Sequence, residues 1–353
     1  MQSPYSDLSP RQFWRSGVAE ADGLVAPELY RKKFEIAQDM PVMTAGSCFA
    51  QHIGRNMRKN GYKVLDVERP PPGMLPDDAA KFGFGIYSGR YGNIYTSSQL
   101  LQLLREAFGL IEPHDPVWER DGRFFDAQRP SVEPNGLETR EAVIAHRQSH
   151  LSAIRTLLKK ARLLVFTLGL TETWRHKESG TVYPTAPGTI AGSFDPSTYE
   201  FVNLDYVQVL DDMEAVRALV LERFPGMKFL LTVSPVPLTA TATDKHVMAA
   251  TVYSKSVLRA VAGKLSDTYD DVDYFPSYEI ITSSLSGGNF FEKNLRSVRA
   301  VGVNSVMETF FAEHGGGDPP AAAAAKRRRV EDADEDDDVV CEEALLEAFA
   351  PKS

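Results

Sequence analysis

The chain has 353 residues, 43% of them hydrophobic and 25% charged, a composition that excludes collagen-like, wholly disordered and disulfide-scaffold proteins. No apolar run approaches the roughly 20 residues of a membrane helix, and the opening residues lack the apolar core of a secretory signal, so the sequence predicts a soluble cytoplasmic protein. The net charge of −9 is uneven: the stretch from Asp318 to Ser353 holds 11 acids against 5 bases, the rest 37 against 34, which leaves the body without the basic footprint of a nucleic-acid binder.

Residues 1–40 mix aromatic and charged side chains and read as an arm packed on a domain spanning 41–314. That domain opens with a strand, Pro41 to Gly46, a tight turn at Ser47, and a helix with apolar residues at Phe49, Ile53 and Met57. Lys63–Val67 reads as a further strand, stopped by Arg69-Pro-Pro-Pro-Gly73. Phe82–Tyr95, rich in glycine and aromatic residues, is expected as a structured loop. Ser97–Phe108 is an amphipathic helix, 113–137 a loop or small hairpin, and Thr139–Ala161 a long helix. Arg162–Leu168 is a fully apolar run, as central strands are, followed by a loop from Gly169 to Trp174. Residues 177–203 read as loop. Then come a helix (Leu204–Phe224), a buried strand (Lys228–Val233), a helix (Lys245–Leu265), a short strand (Val272–Phe275) and a last helix (Val298–Ala312). This alternation predicts a three-layer α/β domain on a mainly parallel sheet. Residues 315–338 form a low-complexity linker, and 339–353 carry a short amphipathic peptide.

In such a sheet ligands gather at the carboxyl ends of the strands. Three loops sit there: Ala45–Phe49, Gly169–Trp174 and Ser234–His246, with Gly89–Tyr95 as a possible fourth. Ser47 follows a strand and opens a helix, where helix dipole and backbone N–H groups face any negative charge formed beside it. That suits a nucleophile in acyl transfer; the plainer reading is a helix cap. Cys48, at the same helix end, is a thiol candidate or a small packing residue. It lies far from Cys341, the other cysteine, and no structural disulfide is expected. No CxxC, HExxH, Walker or Rossmann pattern occurs, so neither metal nor cofactor is expected. Tyr87, Tyr91, Tyr95, Trp174 and Tyr183 offer a platform for a sugar ring or serve as core. Lys326-Arg-Arg-Arg329 reads as an import or polyanion-binding string or, with the acids behind it, a solvated linker. Leu345, Leu346 and Phe349 suit a groove on this chain or on a partner.

The string Thr44-Ala-Gly-Ser-Cys-Phe-Ala-Gln-His52 resembles the signature of the GSCFA-domain family. The resemblance continues through Tyr91-Gly-Asn-Ile-Tyr95, Thr167-Leu-Gly-Leu-Thr-Glu-Thr-Trp174, Val233-Ser-Pro-Val-Pro237, Tyr253-Ser-Lys255 and Tyr274-Phe-Pro-Ser-Tyr278, covering about residues 30–312. That family is grouped with the SGNH (GDSL-like) hydrolases. The resemblance therefore implies a flavodoxin-like α/β/α sandwich and a serine esterase or acyltransferase site. It puts Ser47 at the nucleophile, with the N–H groups of Ser47 and Gly92 as oxyanion donors. Gly169, Thr171 and Glu172 fall on a block that in the hydrolases reads Gly-x-Asn; Thr171 replaces the asparagine, and Asn93 or Thr171 is a substitute donor. The late Asp-x-x-His block is missing, since Asn294 and Ser297 stand there.

For the base the sequence offers His246, with Asp244 or Glu172 to orient it; the plain alternative is a solvent-facing histidine at a helix start. His52 and His176 are lesser candidates. Glu172 and Trp174 are expected to meet substrate. Two functions are compatible with these residues: a serine esterase or O-acyltransferase acting on an acylated small molecule or carbohydrate, and a non-catalytic glycan-binding or scaffold protein on the same fold, with a protein partner for the tail.

Overall fold

The computed structural model describes residues 3–315 and 342–350; the linker and Cys341 lie outside them. The described residues divide into two compact units, one within Met1–Ala37 and Phe275–Asp338, the other within Gln38–Tyr274 and Val339–Ser353. Among them no helix is long and apolar enough to cross a membrane.

In the larger unit the elements run β1 (Val42–Gly46), α1 (Phe49–Lys59), α2 (Pro76–Lys81), α3 (Ser97–Ala107), the hairpin β2 (Val117–Arg120) and β3 (Arg123–Asp126), α4 (Arg140–Lys160), β4 (Leu163–Leu168), β5 (Glu172–His176), β6 (Val182–Tyr183), β7 (Tyr199–Asn203), α5 (Tyr206–Arg223), β8 (Lys228–Val233), α6 (Val247–Thr268) and β9 (Val272–Tyr274). The long helices begin where a polar side chain meets an orphan amide. Thr139 accepts from Ala142 N at 3.1 Å and Asp205 from Gln208 N at 2.9 Å.

The apolar runs form the central sheet, in the order β1-β4-β8-β9, all parallel. β1 and β4 are buried at every position, as expected of strands covered on both faces. Outside β1, Val64 makes a single parallel bridge to Val42. With that rudiment counted, the spatial order is 2-1-3-4-5, a doubly wound order whose switch point lies between β1 and β4. α1 lies against β1 and β4, and α6 against β8 and β9. Right-handed crossovers on either side of the switch put these helices on opposite faces. The predicted fold class is thus the observed one.

Three local expectations differ. Lys63–Val67 contributes only the Val64 bridge, because the chain has left β1 by Val67, whose N–H donates to Ser88 O at 3.1 Å, before it reaches Pro70-Pro-Pro72. The stretch 172–203, read as loop, contains an antiparallel sheet in the order β6-β5-β7. The short α2 lies in a proline-rich stretch where no helix was expected.

The smaller unit holds the arm, α7 (Ser277–Thr282) and α8 (Ala300–His314). The arm packs on α8 within it: the Tyr30 hydroxyl and His314 Nε2 lie 2.9 Å apart, and Lys32 N donates to Glu313 Oε2 at 3.2 Å.

A buried polar network ties α4 to the loop before α3. His150 Nδ1 lies 2.8 Å from Glu68 Oε2. Glu68 Oε2 also accepts from Arg90 N at 2.6 Å, and Arg129 Nη1 donates to Arg90 O at 3.0 Å. Arg129 pairs with Asp126 at 2.7 Å, and Arg147 pairs with Glu106. Burial, with Arg129 nearby, pushes the His150 imidazole down to about 4. Burial also raises the carboxyl groups of Glu68 and Asp126. The His150 contact, the Arg90 N–H and Arg129 more than offset this at Glu68, as Arg147 and Arg129 do at Asp126, leaving both below their usual values.

A histidine whose folded value is depressed contributes fully above about 6.5 and loses that contribution as pH falls toward 4; the two carboxylates lose theirs in the same direction at lower pH. Unfolding in urea should therefore show stability falling between pH 7 and 4.5, with His150 accounting for about 2–3 kcal/mol. His150→Gln, which keeps a donor for Glu68, should flatten that slope; an unaltered slope would contradict this account.

Candidate active site

β1 ends against β4 at a glycine. A Cβ on Gly46 would lie 2.4 Å from Thr167 O, and Gly46 has φ +136°, so a side chain is excluded twice over. This lets Ser47 N donate to Thr167 O at 3.1 Å, extending the ladder by one residue. The Ser47 N–H is therefore engaged in the sheet, not open as the oxyanion donor the resemblance implies. Ser47 O accepts from Ala50 N at 2.9 Å and lies 3.1 Å from the Tyr87 hydroxyl oxygen. Cys48, buried, occupies the N-cap of α1 with no side-chain cap bond. Ser47 does not cap the helix: its hydroxyl is buried and makes no hydrogen bond. A buried polar group left unsatisfied in this way costs about 1–3 kcal/mol.

The loop after Arg90 meets this turn. Ile94 N donates to Gly46 O at 2.9 Å. The Tyr87 hydroxyl donates to Asn93 Oδ1 at 2.5 Å, and Gln51 Nε2 to the same oxygen at 3.3 Å. The Asn93 amide is thus oriented, its oxygen held and its nitrogen on the opposite edge. Gly92, at φ +69°, takes the left-handed conformation in this loop.

On the other side stands Gly169. A Cβ there would lie 2.8 Å from Ser47 Cβ and 3.0 Å from Tyr95 O. Gly169 N and Leu170 N both donate to Tyr95 O, at 3.1 and 2.9 Å. The buried Lys255 Nζ donates to Gly169 O at 2.7 Å. Thr171 is consumed structurally: its N–H donates to Ser254 Oγ at 3.0 Å and its hydroxyl to Asn203 Oδ1 at 2.7 Å. Glu172 accepts from the Thr241 hydroxyl at 2.6 Å and from Ala242 N at 3.3 Å, and burial raises its pKa.

The structure therefore brings Gly169 against Ser47 and ties Asn93 to the Ser47 carbonyl through the Tyr87 hydroxyl, with Gly92 next to Asn93 in the chain. It does not bring His246 to Ser47. His246 is exposed at the start of α6, its Nδ1 accepting from Met248 N at 3.1 Å, and Asp244 beside it is exposed. His176 is buried, stacked on His114 at 3.7 Å and 2.9 Å from the Ser179 hydroxyl. His52 is buried in α1. In the smaller unit, Asn294 and Ser297 form an exposed turn in which Asn294 Oδ1 accepts from Ser297 N at 2.9 Å.

Glu172 and Trp174 line a cavity of about 180 Å³, together with Leu170, Leu238 and Thr241. Tyr95, Leu170 and Leu238 pack together, with Val247 against them; Leu170 lines the cavity and follows Gly169, which packs on Ser47, while Ser47 itself is not among the lining residues. A larger cavity, about 410 Å³, lies between α3 and β5 and does not include Ser47. Of the five aromatic residues offered as a sugar platform, the four tyrosines are buried; only Trp174 is part-exposed on a cavity wall. Gln51 and Lys255 were missed by sequence reasoning. Gln51 stands one helical turn after Ser47, a spacing that puts both on one face; Lys255 stood inside the quoted Tyr253-Ser-Lys255 string.

The sequence model described as the GSCFA family matches residues 41–310, which holds every residue of this site. No curated protein and no solved structure matches the chain.

The packing around Ser47 predicts opposite outcomes at two glycines. Gly169→Ala should cost about 1–3 kcal/mol in thermal or urea unfolding, because the new methyl meets Ser47. Gly226→Ala, with open space around its Cβ, should be neutral or mildly stabilising. Equal stabilities for the two variants would contradict the close approach.

Proposed function

This chain belongs to the GSCFA family, and we propose that it is a cytoplasmic serine esterase or O-acyltransferase acting on an acylated small molecule or carbohydrate, with Ser47 as nucleophile. One observation carries the reading. The Ser47 hydroxyl is buried and unengaged at the switch point of a doubly wound sheet, against a glycine, with an oriented amide tied to the Ser47 carbonyl through Tyr87. A parallel sheet places its chemistry at such a point.

In the reaction, Ser47 Oγ attacks the ester carbonyl carbon. The carbonyl π electrons move to oxygen, the tetrahedral intermediate collapses, and the alcohol leaves with a proton. The acyl group then passes to water or to an acceptor hydroxyl. The Gly92 N–H and Asn93 Nδ2 are the donors for the oxyanion, replacing the Ser47 N–H that the sheet takes. The positive end of α1 favours the same charge. Glu172 and Trp174 meet the substrate in the adjoining cavity. The Ser47 proton needs a base that must come to it: His246 is exposed and holds Met248 N, so it serves only after it releases that N–H and moves to Ser47.

The second reading, a non-catalytic glycan-binding or scaffold protein, is favoured by one observation: no histidine is hydrogen-bonded to Ser47.

Fluorophosphonate labelling with peptide mapping separates the two. The esterase reading predicts a label on Ser47, its loss in Ser47→Ala, and labelling slowed by about 100- to 1000-fold in Asn93→Ala. Absence of label on folded protein, with small esters also untouched, would favour the binding reading. The same assay on His246→Ala decides the base: a slowed reaction assigns it to His246, an unchanged one to another group.

A further inference from the structure

The stretch Glu342–Phe349, a 3₁₀ helix, lies on the cavity that Glu172 and Trp174 line. Leu345 and Phe349 are exposed, at 48% and 68%, whereas Glu343 is buried and Leu346 half-buried. Glu343 and Leu346 line the 180 Å³ cavity beside Glu172 and Trp174. Glu343 N donates to the Tyr95 hydroxyl at 3.4 Å. The carbonyl of the same tyrosine holds Gly169 N, and Gly169 packs against Ser47. Segment, Tyr95, Gly169 and Ser47 are thus one connected series of contacts.

A 3₁₀ helix of this length has little stability of its own, so its position depends on what Glu343 and Leu346 bury. The segment meets the cavity through Glu343 and Leu346 while Leu345 and Phe349 face solvent, an arrangement suited to a part that leaves and returns. Glu343 also lines the same cavity as Glu172, and two carboxyl groups there do not favour permanent closure.

We propose that Glu342–Phe349 is an intramolecular cover on the substrate cavity beside Ser47, slowing entry of an ester until it detaches. The proposal rests on the esterase reading for what the cavity takes, and its test separates the two.

The test uses the full chain carrying Trp14→Phe, which removes a tryptophan that is 73% exposed. Trp118 is buried, so acrylamide quenching then reports on Trp174 in the cavity wall. Leu346→Asp should raise quenching by about twofold and speed fluorophosphonate labelling of Ser47 by about fivefold, the factor a half-buried leucine contact is worth. Leu346→Ala should move both in the same direction by less, and provides a second variant should the charge disturb folding. Leu345→Asp, on the exposed side, should change neither. Unchanged quenching in both Leu346 variants overturns the proposal whatever the labelling does. Raised quenching with labelling at the parent rate overturns the cover as a brake. Raised quenching with no labelling in any variant, the parent included, supports the cover over the cavity and removes the esterase reading instead.

Discussion

The convergence of β1 and β4 at their carboxyl ends is the constraint from which the site follows. Two backbones approach this closely only where side chains are missing, and Gly46 and Gly169 supply the two gaps. The first lets the ladder run on to Ser47 N; the second leaves the Ser47 side chain facing a backbone with no Cβ on it. The serine ends up buried without a partner, at the start of α1 and where the strand order reverses. Reversal of strand order is where a doubly wound sheet gathers its ligands, and the buried, unsatisfied hydroxyl lies at that point.

Around this contact the chain fixes polar groups with unusual thoroughness. Asn93 is oriented by Tyr87 and Gln51. The peptide of Arg90 is clamped at its N–H by Glu68 and at its carbonyl by Arg129. Burying charges is costly unless each is bonded, and here nearly every one is. Such expense is understandable if the loop carrying Gly92 and Asn93 must be held in one geometry, as preorganised donors for a developing charge require. The Thr171 block, which the resemblance makes part of the donor set, is given over to Ser254 and Asn203. On the proposed esterase reading the donor role falls to the Asn93 loop.

Much of the fold was legible because its signals are local. The apolar runs at Arg162–Leu168 and Lys228–Val233 can only be central strands, and the helix periodicities between them leave one architecture. The antiparallel β5–β7 sheet was not legible. Its strands are half-exposed and short, and prolines and glycines divide them, so they read as loop. Val64 pairs once and stops because the chain leaves β1 for Ser88 by Val67, a partner not visible in Lys63–Val67 itself. At the site, Ser47 and its competing role as a cap were both visible; only the geometry excludes the cap. The orientation of Asn93 was not visible, because it depends on Tyr87, which sequence offered as a sugar platform and the structure uses as a buried donor. The place of His246 was the evenly balanced case, since a helix-start histidine and a catalytic one look the same in sequence.

The central claim is that Ser47 forms the covalent bond. The most direct measurement is mass spectrometry of the protein quenched in acid during turnover of p-nitrophenyl acetate, followed by peptide sequencing. The account predicts an acetyl group on the Ser47 hydroxyl that disappears when turnover is allowed to finish. An acetyl group on Cys48 in its place, or turnover with unmodified Ser47 throughout, would contradict it.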